Sequence, residues 1–122
     1  MSLHTDLSQD TYHFMNDERL KAMKPSGILI NTSRGPVVDP GALYRALSLG
    51  TIAYAALDVT EPEPINPGDP LLALDNIIIA PHIASASFQT RNKMATMAAA
   101  NLIAGLRCER LPNCVNPEVY RD

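Results

Sequence analysis

Gly27-Ile28-Leu29-Ile30-Asn31-Thr32-Ser33-Arg34-Gly35 is the stretch that decides the fold. Ile28 to Ile30 is continuously apolar, which suits a parallel strand covered on both faces; a strand with one solvated face would alternate. The run then ends in polar residues and a glycine. The same grammar recurs twice downstream. Ile52 to Val59, mostly small and apolar around Tyr54, leads into Asp58-Val59-Thr60-Glu61-Pro62-Glu63-Pro64. Ile77-Ile78-Ile79 is β-branched throughout, which favours sheet over helix, and leads into Pro81-His82-Ile83. Strands that each deliver polar residues at the carboxyl end predict a parallel sheet whose end loops carry a site.

The intervening segments read as helices and loops. Asn16 caps a short helix through Met23, with Asp17 and Glu18 in its first turn and Lys21 and Lys24 toward its end, the signs favoured by the helix dipole. Asp39-Pro40 opens a second helix through Ser48 that buries Leu43, Ala46 and Leu47, and Gly50 supplies the left-handed stop. Leu3-His4 reads as the end of a first strand, and Thr5 to Thr11 as a polar turn. Glu61 to Pro70 holds four prolines and forms a stiff extended loop. Ser87 to Leu106 has helical composition, with Met94, Met97, Ala98, Leu102 and Leu106 on one side. Alternating strands and helices predict an α/β fold with a mostly parallel sheet, about half of a doubly wound (Rossmann-type) domain. The expected organisation is a partial domain over 1–106, including the long C-terminal helix, and an irregular tail over 107–122.

The 122 residues suffice for one domain, 46% hydrophobic and 19% charged. A formal charge of -3 offers no clustered basic face for nucleic acid. No apolar run reaches the length of a membrane span, and Met1 to Asp10 lacks the order of a signal peptide. The two cysteines, Cys108 and Cys114, do not make a disulfide framework and are expected free in a reducing cytoplasm. Without a secretory signal, Asn31-Thr32-Ser33 is a chance match to a glycosylation acceptor.

Arg34 follows an apolar strand, and its guanidinium suits a carboxylate clamp; a solvated turn arginine fits the same spacing. Asn31, Thr32 and Ser33 add polar atoms beside it, and Gly35 lets the backbone turn sharply. His82, fixed at a strand end behind Pro81, suits a general acid and base, or a structural role on a backbone carbonyl. His4 at the first strand end is a weaker candidate near a cofactor, and His13 reads as a surface residue. Either Glu61 or Glu63 suits a carboxylate that orients His82, and spacing does not choose between them. Asp58 closes an apolar strand, so it either caps backbone groups or meets a polar ligand. An arginine, a histidine and a carboxylate serve hydride transfer to a keto acid, dehydration of a hydroxy acid, or hydrolysis. The Gly-x-Ser-x-Gly nucleophile motif is absent, and the histidine and cysteine spacing does not support zinc, so no metal site is expected.

In these motifs the sequence resembles the D-isomer-specific 2-hydroxyacid dehydrogenase family, most closely its glyoxylate/hydroxypyruvate reductase branch. The pieces that carry the resemblance are Leu3-His4-Thr5-Asp6-Leu7-Ser8, Met23-Lys24-Pro25-Ser26-Gly27 with the strand and turn through Gly35, and Val37-Val38-Asp39. Ala56-Leu57-Asp58-Val59, Glu63-Pro64, Asp69-Pro70-Leu71, Pro81-His82-Ile83 and Val115-Asn116-Pro117 complete them. The resemblance implies an NAD(P)-binding domain and reduction of a small 2-keto acid, glyoxylate or hydroxypyruvate, with NAD or NADP as cofactor. It implies that Arg34 binds the substrate carboxylate and keto oxygen, that His82 protonates the carbonyl, and that Glu63 is the partner of His82. It places Asp58 on the nicotinamide carboxamide, with Thr32 and Ser33 on the cofactor side.

Two positions depart from the family pattern: Asp6 where proline is common, and Ala84 where glycine is usual. The family also carries an upstream substrate domain and a first mononucleotide half with a Gly-x-Gly-x-x-Gly turn, neither present in these residues. The expectation is therefore the back part of an oxidoreductase, inactive as an isolated chain. The alternative is a non-enzymatic remnant that acts through a partner or through a homo-oligomer, its first strand left on an exposed edge.

Overall fold

In the computed structural model, which describes residues 1–120, the chain divides into two compact units, Met1–Ala84 and Ser85–Asp122. The first unit is built on four parallel strands in the order β1-β2-β3-β4, comprising β1 (Ser2–Leu3), β2 (Ile28–Asn31), β3 (Tyr54–Leu57) and β4 (Ile77–Ile79). Sequence order equals spatial order, so each connection joins immediately adjacent strands. A parallel sheet with helices between its strands is the α/β arrangement that the sequence predicts. β3 is shorter than the apolar run around it, because Ile52 and Val59 are buried beyond the ladder's ends rather than in it.

The caps act as the sequence predicts. Asn16 accepts from the Arg19 N–H at the start of α1 (Asp17–Lys21). Asp39 accepts from the Ala42 N–H at the start of α2 (Pro40–Ser48), and Gly50 stands at φ 66° just beyond it. Both helices pack on one face of the sheet. Leu20 of α1 and Ala42, Leu43, Ala46 and Leu47 of α2 join Leu3, Leu29, Ala55 and Leu57 in one buried cluster. A double hydrogen bond from Arg45 to Asp17, at 3.0 and 2.5 Å, ties the two helices on their outer side.

The other face differs from the expectation of a doubly covered strand. Ile28, Ile30, Tyr54 and Ile78 are exposed, Ile78 at 71%, although their apolar character is that of a covered face. The register explains the division: Ile30, Ala56 and Ile78 lie side by side on that face, while Leu29, Ala55 and Ile77 share the helix-covered one.

The second unit contains α3 (Phe88–Leu106), capped by Ser87, whose hydroxyl accepts from the Thr90 N–H. The side expected to be buried is largely open: Met94, Met97, Leu102 and Leu106 are exposed, and Ala104 is the buried residue of this helix. The short tail cannot cover a 19-residue helix. It is fastened by Leu111 N–H to the Tyr120 hydroxyl (2.9 Å) and Asn113 N–H to Asn101 (3.0 Å). Cys108 and Cys114 are free thiols. Of the tail expected over 107–122, the last two residues lie outside the described ones. No helix among the described residues is long and apolar enough to cross a membrane.

Candidate active site

The ends of β2, β3 and β4 are stepped together by backbone hydrogen bonds. Asp58 N–H donates to the Asn31 carbonyl (2.9 Å), Ala80 N–H to the Leu57 carbonyl (2.8 Å) and His82 N–H to the Asp58 carbonyl (2.9 Å). Arg34, Asp58 and His82 are therefore carried at the same end of three adjacent strands. That is where an open parallel sheet offers a site.

His82 is the residue most tightly placed. Its backbone stands at φ 55°, in the left-handed region that non-glycine residues enter when the surroundings fix them there. The fixing comes from Asp58, which is 6% exposed. One Asp58 carboxylate oxygen accepts from the Ile83 N–H (2.7 Å) and the other from the Ala84 N–H (2.8 Å). Charge-assisted bonds of this kind are roughly twice as strong as neutral ones. The costly burial of an aspartate at a strand end is thereby offset, and the backbone-capping alternative is the one these contacts realise.

The two glutamates that spacing leaves equivalent have different partners. Glu63 Oε1 lies 2.6 Å from His82 Nδ1, whereas Glu61 Oε2 lies 2.7 Å from His13 Nε2. The bond on Nδ1 leaves Nε2 as the nitrogen of His82 that can meet a ligand. Both members of the His82–Glu63 pair are about half exposed, at 51% and 43%. They line a cleft of about 530 Å³ together with Asp58, Thr60, Pro64, Ile65, Leu72, Ile79, Ala80 and Pro81. A volume of this size with one polar corner and apolar walls suits a small ligand or a single ring of a larger one.

Arg34 is exposed, and its Nη1 donates to the Ser33 carbonyl (2.7 Å). It does not line that cleft, although it shares the strand-end side with it. Asn31 is fully buried and organises the turn that presents Arg34. Its Nδ2 donates to the Arg34 carbonyl (2.9 Å), while its Oδ1 accepts from the Ser33 N–H (3.0 Å) and hydroxyl (2.7 Å). Ser33 thus already uses its proton within the turn, and Thr32 lies exposed beside it. His4, just beyond β1, shares a 2.8 Å contact between its Nε2 and the Ser2 hydroxyl.

Two features of the site escape sequence reasoning. Gly35 is needed for close approach: a Cβ there would stand 1.9 Å from the Thr60 carbonyl oxygen. That contact seats the Arg34 turn against the glutamate loop. The pairing of His13 with Glu61 spans 48 positions, and no local pattern announces it.

With this geometry established, comparison with known proteins is direct. Residues 1–84 match the model of the "D-isomer specific 2-hydroxyacid dehydrogenase, NAD binding domain". A glyoxylate reductase from Korarchaeum cryptofilum is 57% identical over 121 residues, covering 99% of this chain and 36% of that protein. A glyoxylate/hydroxypyruvate reductase B from Serratia proteamaculans is 50% identical over 115 residues, 94% of this chain and 35% of the relative. Among solved structures, an NADPH-dependent glyoxylate/hydroxypyruvate reductase from Sinorhizobium meliloti, in complex with NADP and malonate, superposes with a TM-score of 0.83. It is 41% identical and is matched over 94% of this chain and 36% of its own. The chain thus spans about a third of the length of the curated relatives it matches. On these grounds the chain belongs to the D-isomer-specific 2-hydroxyacid dehydrogenase family.

Proposed function

We propose that these residues form the acid–base half of a site that reduces a short 2-keto acid, such as glyoxylate or hydroxypyruvate, with NADH or NADPH. The observation that carries the reading is the His82–Glu63 pair at 2.6 Å, at the wall of a cleft of about 530 Å³. The cleft and its donors suit a small acid and a nicotinamide ring; the rest of a dinucleotide needs surfaces beyond it. When bound, the nicotinamide supplies the hydride. His82 gives its Nε2 proton to the carbonyl oxygen as the alcohol forms, and Glu63 at Nδ1 holds the ring in the orientation that presents Nε2. Arg34 offers its remaining guanidinium N–H groups to the substrate carboxylate.

Asp58 keeps the His82 turn in place and lines the same cleft, where it would stand near a bound nicotinamide carboxamide. Thr32, exposed at the turn, and His4, just beyond the end of β1, would line the cofactor side, with the buried Ser33 contributing through the turn it closes on Asn31. A hydroxy-acid dehydratase would use similar groups without nicotinamide, so loss of absorbance at the reduced-cofactor band during turnover separates the two.

Taken alone, the 122 residues contain no Gly-x-Gly-x-x-Gly turn to receive a pyrophosphate. The isolated chain is therefore expected to show no appreciable NADH binding and no measurable keto-acid reduction, since positioning and water exclusion supply much of the rate. Calorimetric titration with NADH, followed by glyoxylate and hydroxypyruvate assays on the same sample, tests this. Tight one-to-one binding with steady turnover would contradict it. The exposed row of Ile28, Ile30, Tyr54 and Ile78 favours a second reading, self-association of the chain. Light scattering that shows a monodisperse monomer at micromolar concentrations would remove that reading.

A further inference from the structure

The loop that carries Glu63 has a second histidine–carboxylate pair. Two residues before Glu63, the Glu61 carboxylate receives His13 Nε2 at 2.7 Å on one oxygen and the Tyr12 hydroxyl at 3.3 Å on the other. The Tyr12 and His13 rings stack, with centroids 4.0 Å apart, so the two donors form one rigid surface. His13 is held in turn by its N–H to the Pro36 carbonyl (2.8 Å), and the next rung runs from Met15 N–H to the Val37 carbonyl (2.9 Å). Its φ of 47° is a conformation that a non-glycine residue keeps only where neighbours determine it. Between the two pairs, the Thr60 hydroxyl donates to the Pro62 carbonyl (2.8 Å), which ties residue 60 to residue 62. Partial desolvation and, after it, the Glu61 charge raise the Tyr12 phenol above its ordinary pKa.

We propose that Tyr12, His13 and Glu61 are positioning residues: they clasp the fixed end of the loop and thereby aim Glu63 at Nδ1 of His82. The proposal deepens the reading of His82 as the acid–base group and rests on it for its catalytic meaning. Residues 11–15 contribute nothing to the cleft itself, so their influence passes through the loop. With the clasp intact, Glu63 selects the Nδ1–H form of the His82 ring and leaves Nε2 toward the substrate. With the clasp open, the loop samples positions in which Nδ1 loses its acceptor, and the ring reverts to a mixture of tautomers.

The nitrogen-15 shifts of the His82 ring report that tautomer directly and require neither cofactor nor turnover. In the 122-residue chain, Glu61→Ala and His13→Ala are expected to lower the ratio of Nδ1–H to Nε2–H forms by about tenfold, as loss of one charge-assisted bond implies. Glu61→Gln, which keeps one acceptor oxygen of the two, should recover part of the ratio. Glu63→Ala, which removes the acceptor outright, calibrates the full effect. Asp17→Asn, which breaks an ion pair elsewhere in the same unit, should leave the His82 signals unmoved. Unchanged His82 shifts in Glu61→Ala, with amide spectra of a folded chain, would overturn the proposal. If Glu61→Ala loses its folded spectrum, Tyr12→Phe and His13→Gln take its place, and unchanged shifts in both are equally fatal. A displaced tautomer together with normal keto-acid reduction by a catalytically complete enzyme lacking His82 would instead leave the clasp standing and remove the acid–base reading.

Discussion

Asp58 holds His82 from both sides of the same peptide turn. Its carbonyl accepts the His82 N–H at 2.9 Å, and its carboxylate accepts the N–H groups of the next two residues at 2.7 and 2.8 Å. Three consecutive donors thus converge on one buried acid. The imidazole is therefore aimed by the backbone before any ligand arrives, which is the preorganisation that general acid–base chemistry needs.

Replacing Asp58 tests that hold. Asp58→Ala leaves the Ile83 and Ala84 N–H groups without their acceptor, and hydrogen bonds to charged groups contribute about 1.5–3 kcal/mol each. A loss of roughly 3 kcal/mol in urea unfolding is expected, with a smaller loss for Asp58→Asn, which retains one acceptor oxygen. Unaltered stability in both would mean that the carboxylate is not what fixes the turn.

Gly35→Ala should destabilise by about 1–3 kcal/mol or more, because its methyl group would meet the Thr60 carbonyl and the backbone must shift. Gly68→Ala, with open space around the added carbon, should remain within about 0.5 kcal/mol. Equal effects at the two glycines in chemical denaturation would contradict the close approach of the arginine turn to the glutamate loop.

The Asp17–Arg45 pair gives a pH dependence of known sign. The hydrogen bond from Arg45 and, with it, the Arg45 charge hold the Asp17 carboxyl below its ordinary pKa. Its contribution is therefore present above that ordinary value and is lost as pH falls through the lowered folded value. Both side chains are about half exposed, so the effect is small and screened by salt. Acid unfolding of Asp17→Asn should converge with that of the unmodified chain at low pH and separate from it above. Curves that stay parallel throughout would show the pair to be silent.

Much of this fold could be read from residues alone, for local reasons. Asp39-Pro40 and Asn16 announce their helices because a cap is a contact within one turn, and α2 runs from Pro40 to Ser48 as expected. Ile77 to Ile79 announces its strand through β-branching. The exposed face of Ile28, Ile30, Tyr54 and Ile78 was not legible, because apolar strands read alike whether or not this stretch of chain supplies their cover. At the site, the placement of Arg34, Asp58 and His82 on successive strand ends followed from the pattern. The allocation of Glu61 to His13 and Glu63 to His82 did not, since two acids around one proline are equivalent until the loop path is known. Ala84, where glycine is usual in the family, sits outside the left-handed backbone region, so its methyl group carries no conformational penalty there.

The central claim is that His82, held by Glu63, donates the proton in keto-acid reduction. The most direct measurement places residues 1–122 in the corresponding segment of the Korarchaeum cryptofilum glyoxylate reductase, with which they share 57% identity. NADH and NADPH oxidation by glyoxylate is then followed with and without His82→Ala. The chimera should turn over, and His82→Ala should lower kcat by roughly 10²- to 10⁴-fold, the usual contribution of a positioned acid–base group. A folded chimera that oxidises neither cofactor, or one whose turnover survives the loss of His82, would contradict the account.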